Sequence, residues 1–156
     1  MADIKYTVTD AKDLDIIKPL WKKLIVHHQE RVRHFKRLLE SIDFDKRKAE
    51  LLEHSKTGAL RIDLAHDADK GKLIGYCVST VNANKQGEIE SICVEPSYRR
   101  SGIAGSLMEK ALKWMDDMSV EKKVLTVAAG NEEVFAFYEE HGFYPKGTIL
   151  EQIEGG

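Results

Sequence analysis

A chain of 156 residues with a formal net charge of −2 is long enough to bury one core, and its balanced charge gives no reason to expect nucleic-acid binding. Hydrophobic residues make up 42% and charged residues 32%, as in soluble globular proteins. No apolar run is long enough to predict a membrane span, and the first residues lack a signal-peptide pattern. Cys77 and Cys93 form no CxxC pair, so we expect free thiols and a cytoplasmic location.

The first third of the chain predicts one strand and two helices. Polar and apolar residues alternate at the start, and apolar residues then recur at helical spacing from Leu14 onward. Pro19 falls inside this helical pattern, so the helix begins later or kinks there. The predicted elements are a strand at 4–9, a helix to about residue 30, an irregular stretch at 31–45, and a helix from 45 or 46 to 54.

The rest of the chain predicts strands and helices in a mixed order. The polar turns DADKGK and NANKQG separate three β-rich runs, and a long helix with one apolar stripe follows them. The order indicates an α/β (α+β) fold with a mixed sheet and helices on its faces. The predicted ranges are strands at 59–66, 73–81, 88–94, 124–129 and 143–153, and helices to about 118 and from 131 to 141.

The start of the long helix combines positive charge with very little side-chain bulk. The first turn of a helix leaves amide groups unpaired and carries a partial positive charge. Glycine and alanine leave these amides bare and two arginines precede them, so we expect a site for phosphate oxygens. A glycine used only to turn the chain is the alternative. The predicted site residues are Arg99, Arg100, Ser101, Gly102, Ile103, Ala104, Gly105 and Ser106.

Two motifs in this order resemble a known family. The stretch RRSGIA at 99–104 matches the pattern Q/R-x-x-G-x-G/A, whereas GxxxxGK[ST] and GxGxxG are absent. Asn131 then opens a helix that carries Phe-Tyr at 137–138 and is followed by Gly-Phe at 142–143. Together they resemble the acetyl-CoA binding motif and last helix of the GCN5-related N-acetyltransferase (GNAT) superfamily. The resemblance covers about residues 58–145, and we interpret 1–156 as a single domain.

The resemblance implies a fold and a reaction. The fold is a GNAT-like, mostly antiparallel mixed sheet whose fourth and fifth strands splay apart, with helices on both faces. The reaction moves an acetyl group from acetyl-CoA to a primary amine of a small molecule or peptide, by direct attack in a ternary complex and without a metal. Pyrophosphate would bind the glycine turn, and the pantetheine arm would lie in the gap. The further cofactor contacts implied are Ile92, Cys93, Val94, Asn131, Phe137 and Tyr138.

Three side chains are candidates for catalysis. An amine attacks only as the free base, so a carboxylate that accepts its proton would help. Glu88 and Glu90 share a strand face with Ile92 and Val94 by periodicity, and apolar neighbours would raise a carboxylate's pKa. The resemblance favours Glu90 as the base, with Glu88 second; surface charge is the alternative for both. It also implies that Tyr138 protonates the CoA thiolate, although a core aromatic would show the same spacing. A backbone amide at Val94 or a neighbour would bind the oxyanion.

The acceptor is not encoded in these motifs. Residues 31–37, RVRHFKR, contain no acid and would favour acidic acceptors if they bordered the cleft, but a solvated surface is the usual outcome. We interpret His27, His28 and His34 as a solvated helix face without metal spacing. The tail ILEQI and the preceding residues could offer an exposed sheet edge, so we predict a homodimer, as family members often form. A non-catalytic acetyl-CoA sensor is the alternative function.

Overall fold

The computed structural model describes residues 2–153 and contains one five-stranded sheet. Neighbouring strands lie in sequence order, and every pair is antiparallel except the fourth and fifth, which are parallel. The predicted mixed, mostly antiparallel sheet is therefore confirmed. The strands are β1 (Ile4–Thr9), β2 (Ala59–Asp67), β3 (Lys72–Val81), β4 (Gln86–Val94) and β5 (Lys122–Leu125).

Five α-helices in residues 2–153 flank the sheet. Pro19 lies in the first turn of the first helix, where its missing N–H costs no hydrogen bond, so the proline marks a helix start rather than a kink. Asp43 caps the third helix by accepting a 2.8 Å hydrogen bond from Lys46 N, which starts that helix slightly earlier than predicted. The helices are α1 (Lys18–Arg31), α2 (Lys36–Ser41), α3 (Phe44–His54), α4 (Ile103–Asp117) and α5 (Phe135–Glu140).

Each face of the sheet has its own apolar core. On one face, Trp21 of α1 and Leu51 of α3 pack with buried residues of β2 and β3. On the other face, Leu107 and Met108 of α4 pack against Ile74 of β3. Helices on both faces were predicted, and the arrangement confirms them. None of the helices in residues 2–153 is long and apolar enough to cross a membrane.

The strands predicted near the C-terminus form only in part. β5 ends at Leu125, so residues 126–129 carry no strand. Within 143–153 no residue is in a strand, which makes the prediction of a final strand wrong. Ile149 and Leu150 are 96% and 90% exposed there, so the tail has strand-like composition but pairs with no strand among the described residues.

The fourth and fifth strands separate along their length. β4 pairs with β5 only between Gln86 and Ile89, and the remaining residues of β4 have no strand beside them on that side. The splayed strands implied by the family resemblance are therefore present. The unpaired half of β4 leaves a gap in the sheet, bordered on the opposite side by residues 126–128.

A β-bulge interrupts the other edge of β4. Ser91 pairs with Val78 and Ile89 pairs with Ser79, so Glu90 is an extra residue with no partner in β3. A bulge shifts the side-chain alternation by one residue. As a result, both Glu90 and Ser91 point toward the face that α1 and α3 cover, where Ser91 lies 2.8 Å from the Tyr76 hydroxyl.

Candidate active site

A cavity of about 620 Å³ occupies the gap between β4 and the chain after β5. Its wall combines residues of α1 and α3 from one face of the sheet with residues of α4 and α5 from the other. Glu88, Ser101 and Ser106 do not line it. The predicted site residues that do are Glu90, Ile92, Cys93, Val94, Arg99, Arg100, Gly102, Ile103, Ala104, Gly105, Asn131, Phe137 and Tyr138.

The first turn of α4 presents free amides to open space. Ser106 N donates the first hydrogen bond of the helix, to Gly102 O at 3.0 Å, so the amides of residues 103–105 precede the hydrogen-bonded ladder. No side chain of the described residues caps them. A Cβ added at Gly102 or Gly105 would meet no atom within 4 Å, and Gly102 adopts a left-handed φ of +79°. This turn therefore has the geometry and the room to bind an anion.

Side chains in and next to this turn hold it in place. Tyr98 donates a hydrogen bond to Asp67 at the end of β2, where Asp67 is only 2% exposed. Ser101 Oγ donates to Tyr98 O, which gives Ser101 a role in the turn rather than on the cavity wall. Arg99 Nε donates to Val94 O at 3.4 Å, so the arginine spans from the turn to the free edge of β4.

The unpaired half of β4 offers backbone groups to the gap. Glu95 N donates to Ile74 O of β3 at 2.8 Å, and consecutive amides of a strand point to opposite sides, so the amide of Val94 points into the gap. Cys93 points toward α1, where its Sγ lies 3.7 Å from Leu20 O. Burial raises the pKa of the Cys93 thiol to about 11, which keeps it protonated and makes it a poor nucleophile.

The Glu90 side chain is 1% exposed and lies in a network of polar groups. Its Oε2 accepts a 2.7 Å hydrogen bond from Thr80 Oγ1 and lies 2.9 Å from His54 Nδ1. Arg47 donates to the Glu90 backbone oxygen at 2.7 Å, and its guanidinium is 3.5 Å from Oε1. Oε1 itself has no hydrogen-bond partner. The carboxylate is thus hydrogen-bonded through Oε2, whereas Oε1 has only the ion pair with Arg47.

Glu88 lies beside Glu90 but outside the cavity wall. Burial, followed by the charge of Glu90, raises the pKa of the Glu88 carboxyl. One potential ligand atom from each of Glu88, Glu90 and His54 lies within 4.8 Å of the others, a spacing that could suit a cation. Because the Arg47 guanidinium already offsets the Glu90 charge, we interpret the group as a hydrogen-bonded network.

The prediction that Ile92 and Val94 share a strand face with Glu88 and Glu90 is wrong. Glu88 and Glu90 do share a strand face, but Ile92 and Val94 belong to the core under α4, on the opposite face. The bulge at Glu90 is the physical reason, since it reverses the alternation after that residue.

The last helix brings a phenol and an amide to the same cavity. Burial, with a smaller effect from Cys77, raises the pKa of Tyr138 to about 12. Its ring stacks edge-on against Phe137 at 5.3 Å. Among the described residues, Asn131 makes no side-chain hydrogen bond that caps the helix, and its Oδ1 is buried without a hydrogen-bond partner.

Helix α1 forms part of the cavity wall, including residues that were expected to lie on a solvated helix face. His27 and His28 line the cavity, whereas His34 is exposed as predicted. Burial, followed by the charge of His27, lowers the pKa of His28. The sequence carries one signal for this, because His28 follows Leu24 by four residues and Trp21 by seven, on the same helix face. No comparable local pattern identifies Arg47 or Thr80.

The cationic stretch 31–37 does not form the cavity wall, so it does not support an acidic acceptor. Its first member, Arg31, pairs with Glu133 at 3.1 Å, and Glu133 also lies 3.9 Å from His27. The remaining cations of the stretch are exposed. The Arg31–Glu133 contact instead joins the end of α1 to the loop before α5, beside the cavity.

Comparisons with solved structures show a shared fold. A GCN5-related N-acetyltransferase from Ralstonia eutropha JMP134 superposes with a TM-score of 0.74 at 18% identity, covering 98% of this chain and 100% of the other. The aminoglycoside N-acetyltransferase AAC(6')-Iy in complex with CoA gives 0.68 at 16% identity, covering 100% and 97%.

Sequence comparisons identify the family. An N-alpha-acetyltransferase of Saccharolobus solfataricus is 38% identical over 60 residues, which cover 38% of this chain and 36% of that protein. The chain spans between about a third and a half of the length of the curated relatives it matches. Residues 22–143 match the profile of the Acetyltransferase (GNAT) family, and the resemblance noted in the motifs is confirmed. The chain therefore belongs to the acetyltransferase (GNAT) family.

Proposed function

We propose that the protein is an N-acetyltransferase that moves an acetyl group from acetyl-CoA to a primary amine of a small molecule or peptide. The observation that carries this proposal is the cavity, which joins the bare amides of α4 to the Glu90 carboxylate across the gap in the sheet. Acyl transfer to an amine needs a thioester site and a proton acceptor close together. The cavity supplies both kinds of group in one continuous space.

The first turn of α4 is our candidate for the pyrophosphate of CoA. The free amides of residues 103–105 and the guanidinium groups of Arg99 and Arg100 would neutralise it, and the open space in front of Gly102 and Gly105 fits a bulky anion. The pantetheine would extend along Ile92, Cys93 and Val94 of the free β4 edge, with Phe137 opposite. Asn131 is a further candidate contact.

The reaction proceeds by direct attack in a ternary complex. Glu90, directly or through water, takes a proton from the ammonium group of the acceptor. The freed amine nitrogen then forms a bond to the acetyl carbon, and the amide of Val94 donates to the developing oxyanion. The carbon–sulfur bond breaks, and Tyr138 donates a hydrogen bond or a proton to the departing thiolate. The extra proton that the nitrogen still carries after attack passes to solvent or restores the phenol. Glu88, the second candidate base, would act through Glu90 because it does not line the cavity.

The direct test is a panel of primary amines assayed by release of the free CoA thiol, with acetyl-CoA binding measured by calorimetry in parallel. We expect binding, and turnover with at least one class of amine. Binding without turnover on any amine would favour the alternative, a non-catalytic acetyl-CoA sensor. The presence of Glu90 and Tyr138 in the cavity favours an enzyme over a sensor.

The domain organisation, location and partners of the protein are also proposals. We propose a single domain over 1–156 and a cytoplasmic location, which two free, buried thiols would suit. We expect no nucleic-acid partner, given the net charge of −2. We also propose a homodimer. The tail strand that was expected to pair with a second chain does not form. Ile149 and Leu150 are nevertheless exposed apolar side chains, and contact with a second copy of the chain would bury them.

A further inference from the structure

Helix α3 contacts the bulged residue of β4 at two points. Arg47 donates to the Glu90 backbone oxygen at 2.7 Å, and His54 Nδ1 lies 2.9 Å from Glu90 Oε2. Residues seven positions apart lie on one face of a helix. Leu51 falls between them on that face and is buried in the core with 0% exposure. One packed face of α3 therefore holds both contacts to Glu90.

The two oxygens of the Glu90 carboxylate have different surroundings. Oε2 accepts a 2.7 Å hydrogen bond from Thr80 Oγ1 and also faces His54 Nδ1. Because an ionised carboxylate can only accept, Nδ1 carries the hydrogen in this contact. Oε1 has only the ion pair with Arg47, a residue of the cavity wall, at 3.5 Å. Two donors thus hold Oε2, and Oε1 is the oxygen with fewer contacts.

His54 connects this buried carboxylate to solvent. The Glu90 side chain is 1% exposed and the His54 side chain is 46% exposed, and His54 lies outside the cavity wall. An imidazole is the side chain that ordinarily changes charge between pH 5 and 8. His54 is also the last residue of α3, and the C-terminal end of a helix favours a cation. The ring can therefore exchange protons with solvent while ligands occupy the cavity.

The charged groups around His54 come from β4 and from α3 itself. Glu88 and Glu90 each place a carboxylate oxygen within 4.8 Å of a ring nitrogen of His54. Arg47 faces Glu90 and pairs with Glu50 at 3.1 Å, and β3 contributes a neutral hydroxyl. Protonation of His54 would thus place a second cation beside Glu90. A nearby cation favours the ionised form of a carboxylate, which makes it a weaker proton acceptor.

We propose that His54 and Thr80 are positioning residues that hold the Glu90 carboxylate for proton transfer, and that protonation of His54 weakens Glu90 as a base. This inference rests on the proposed acetyl transfer and on Glu90 as its base. With His54 neutral, hydrogen bonds from His54 and Thr80 hold Oε2, and Oε1 takes the proton of the acceptor amine. At acidic pH His54 becomes a cation, its hydrogen bond to Oε2 becomes an ion pair, and turnover falls.

The test compares two replacements of His54. His54→Asn keeps an N–H donor close to the position of Nδ1 but stays neutral, whereas His54→Leu removes both the donor and the charge. Near pH 8, we expect His54→Leu to lower kcat by about 10-fold, the effect of losing one hydrogen bond, and His54→Asn to recover most of this loss. Below about pH 6, His54→Asn should keep a larger share of its kcat at pH 8 than the parent does.

Matched variants separate positioning from packing. Thr80→Val removes the other donor to Oε2 with little change in shape, and it should lower kcat while the acidic loss of turnover that His54 causes remains. His34→Leu changes an exposed histidine and should keep the parent's kcat and pH profile. The thermal midpoint, the acetyl-CoA affinity and KM for the amine are measured on each preparation. All three should stay close to the parent values in the His54 variants, because His54 is half-exposed and lies outside the cavity wall.

The outcomes separate this inference from the proposed function. In a parent that releases CoA thiol, unchanged kcat in His54→Leu overturns the positioning role. A fall in kcat that is equal in His54→Leu and His54→Asn, with equally lowered thermal midpoints, also overturns it in favour of packing. Identical pH profiles in the parent and His54→Asn overturn the effect of His54 protonation. These three results leave the proposed acetyl transfer in place, whereas a parent that releases no thiol with any amine overturns both.

Discussion

Replacing Tyr138 by Phe tests how the departing thiolate is stabilised. The change removes only the hydroxyl, and the ring keeps its edge-on contact with Phe137. The described residues include no hydrogen bond to this hydroxyl, so its loss leaves no protein group unpaired. We therefore expect the free energy of unfolding to change by less than about 1 kcal/mol.

The raised pKa of Tyr138 sets the size of the effect on turnover. A phenol with a pKa of about 12 is protonated at neutral pH and available as a donor. A free thiol has a pKa of about 8.5, so complete proton transfer from Tyr138 to the thiolate is uphill by about 3.5 pKa units, or about 5 kcal/mol. Tyr138 would therefore act mainly as a hydrogen-bond donor to the developing charge. Such a bond contributes about 1.5–3 kcal/mol, which predicts a fall in kcat of about 10- to 150-fold.

The assay measures kcat by thiol release, acetyl-CoA affinity by calorimetry, and the thermal midpoint, all on one Tyr138→Phe preparation. We expect reduced kcat, affinity within a few-fold of the parent and a nearly unchanged midpoint. The parent's pH–rate profile should contain no limb from Tyr138 between pH 7 and about 10, because the phenol ionises near 12. Full kcat with a lowered midpoint would show that Tyr138 is a packing residue. A basic limb near pH 8–9 that vanishes in the Phe variant would refute the pKa argument.

Four further predictions address the other parts of the site and the assembly. Gly102→Glu should abolish acetyl-CoA binding, because it adds a negative charge and a side chain at the anion turn, at a position with a left-handed backbone conformation. Calorimetry on the folded variant checks this, with Gly71→Glu as the control at another glycine of left-handed conformation. Glu90→Gln should lower kcat at neutral pH by about 10²-fold or more and recover partly at high pH, where free amine is abundant; an unchanged pH–rate profile in both Glu90→Gln and Glu88→Gln would place the base elsewhere. Glu88→Gln should also alter stability: the folded pKa of Glu88 lies above its unfolded value, so the parent loses stability as pH rises from about 4.3 through the raised value, and the glutamine variant should gain in thermal midpoint over that window. Light scattering at micromolar concentration should give about twice the monomer mass of 17.7 kDa, and a monomer mass alone would reject the homodimer.

The parts of this fold that could be predicted from sequence depend on local patterns. The alternation in β1 to β3, the apolar stripe of α4 and the bare turn at Gly102 each require only neighbours along the chain, and their positions agree closely with the predictions. The family resemblance rested on that turn and on the motif around Tyr138, which are also local. At Pro19 the sequence left a later helix start or a kink open, and the structure shows the later start, with proline in the first turn of α1.

The parts that could not be predicted depend on tertiary partners. Whether residues 143–153 form a strand depends on pairing with another strand, and among the described residues they pair with none, although β1 and β5 each have an unpaired outer edge. Whether His28 is solvated depends on what covers α1, and the loop at Asn131 lies across the same cavity. Arg47 reaches Glu90 over 43 residues of sequence, a contact that no short-range periodicity encodes.

The bulge at Glu90 has the largest functional consequence of these tertiary features. Strict alternation through β4 would have placed Ile92 and Val94 on the same face as Glu90, under α1 and α3, and would have directed Cys93 toward α4. One extra residue instead leaves Glu90 on the face that α1 and α3 cover, while Ile92 and Val94 turn to the α4 core two and four residues later. In the proposed reaction, a single strand would then present a carboxylate to the acceptor on one face and an apolar edge with free amides to the thioester in the gap. Deleting the extra residue of the bulge, unlike neutralising the Glu90 carboxylate, would therefore disturb both halves of the candidate site at once.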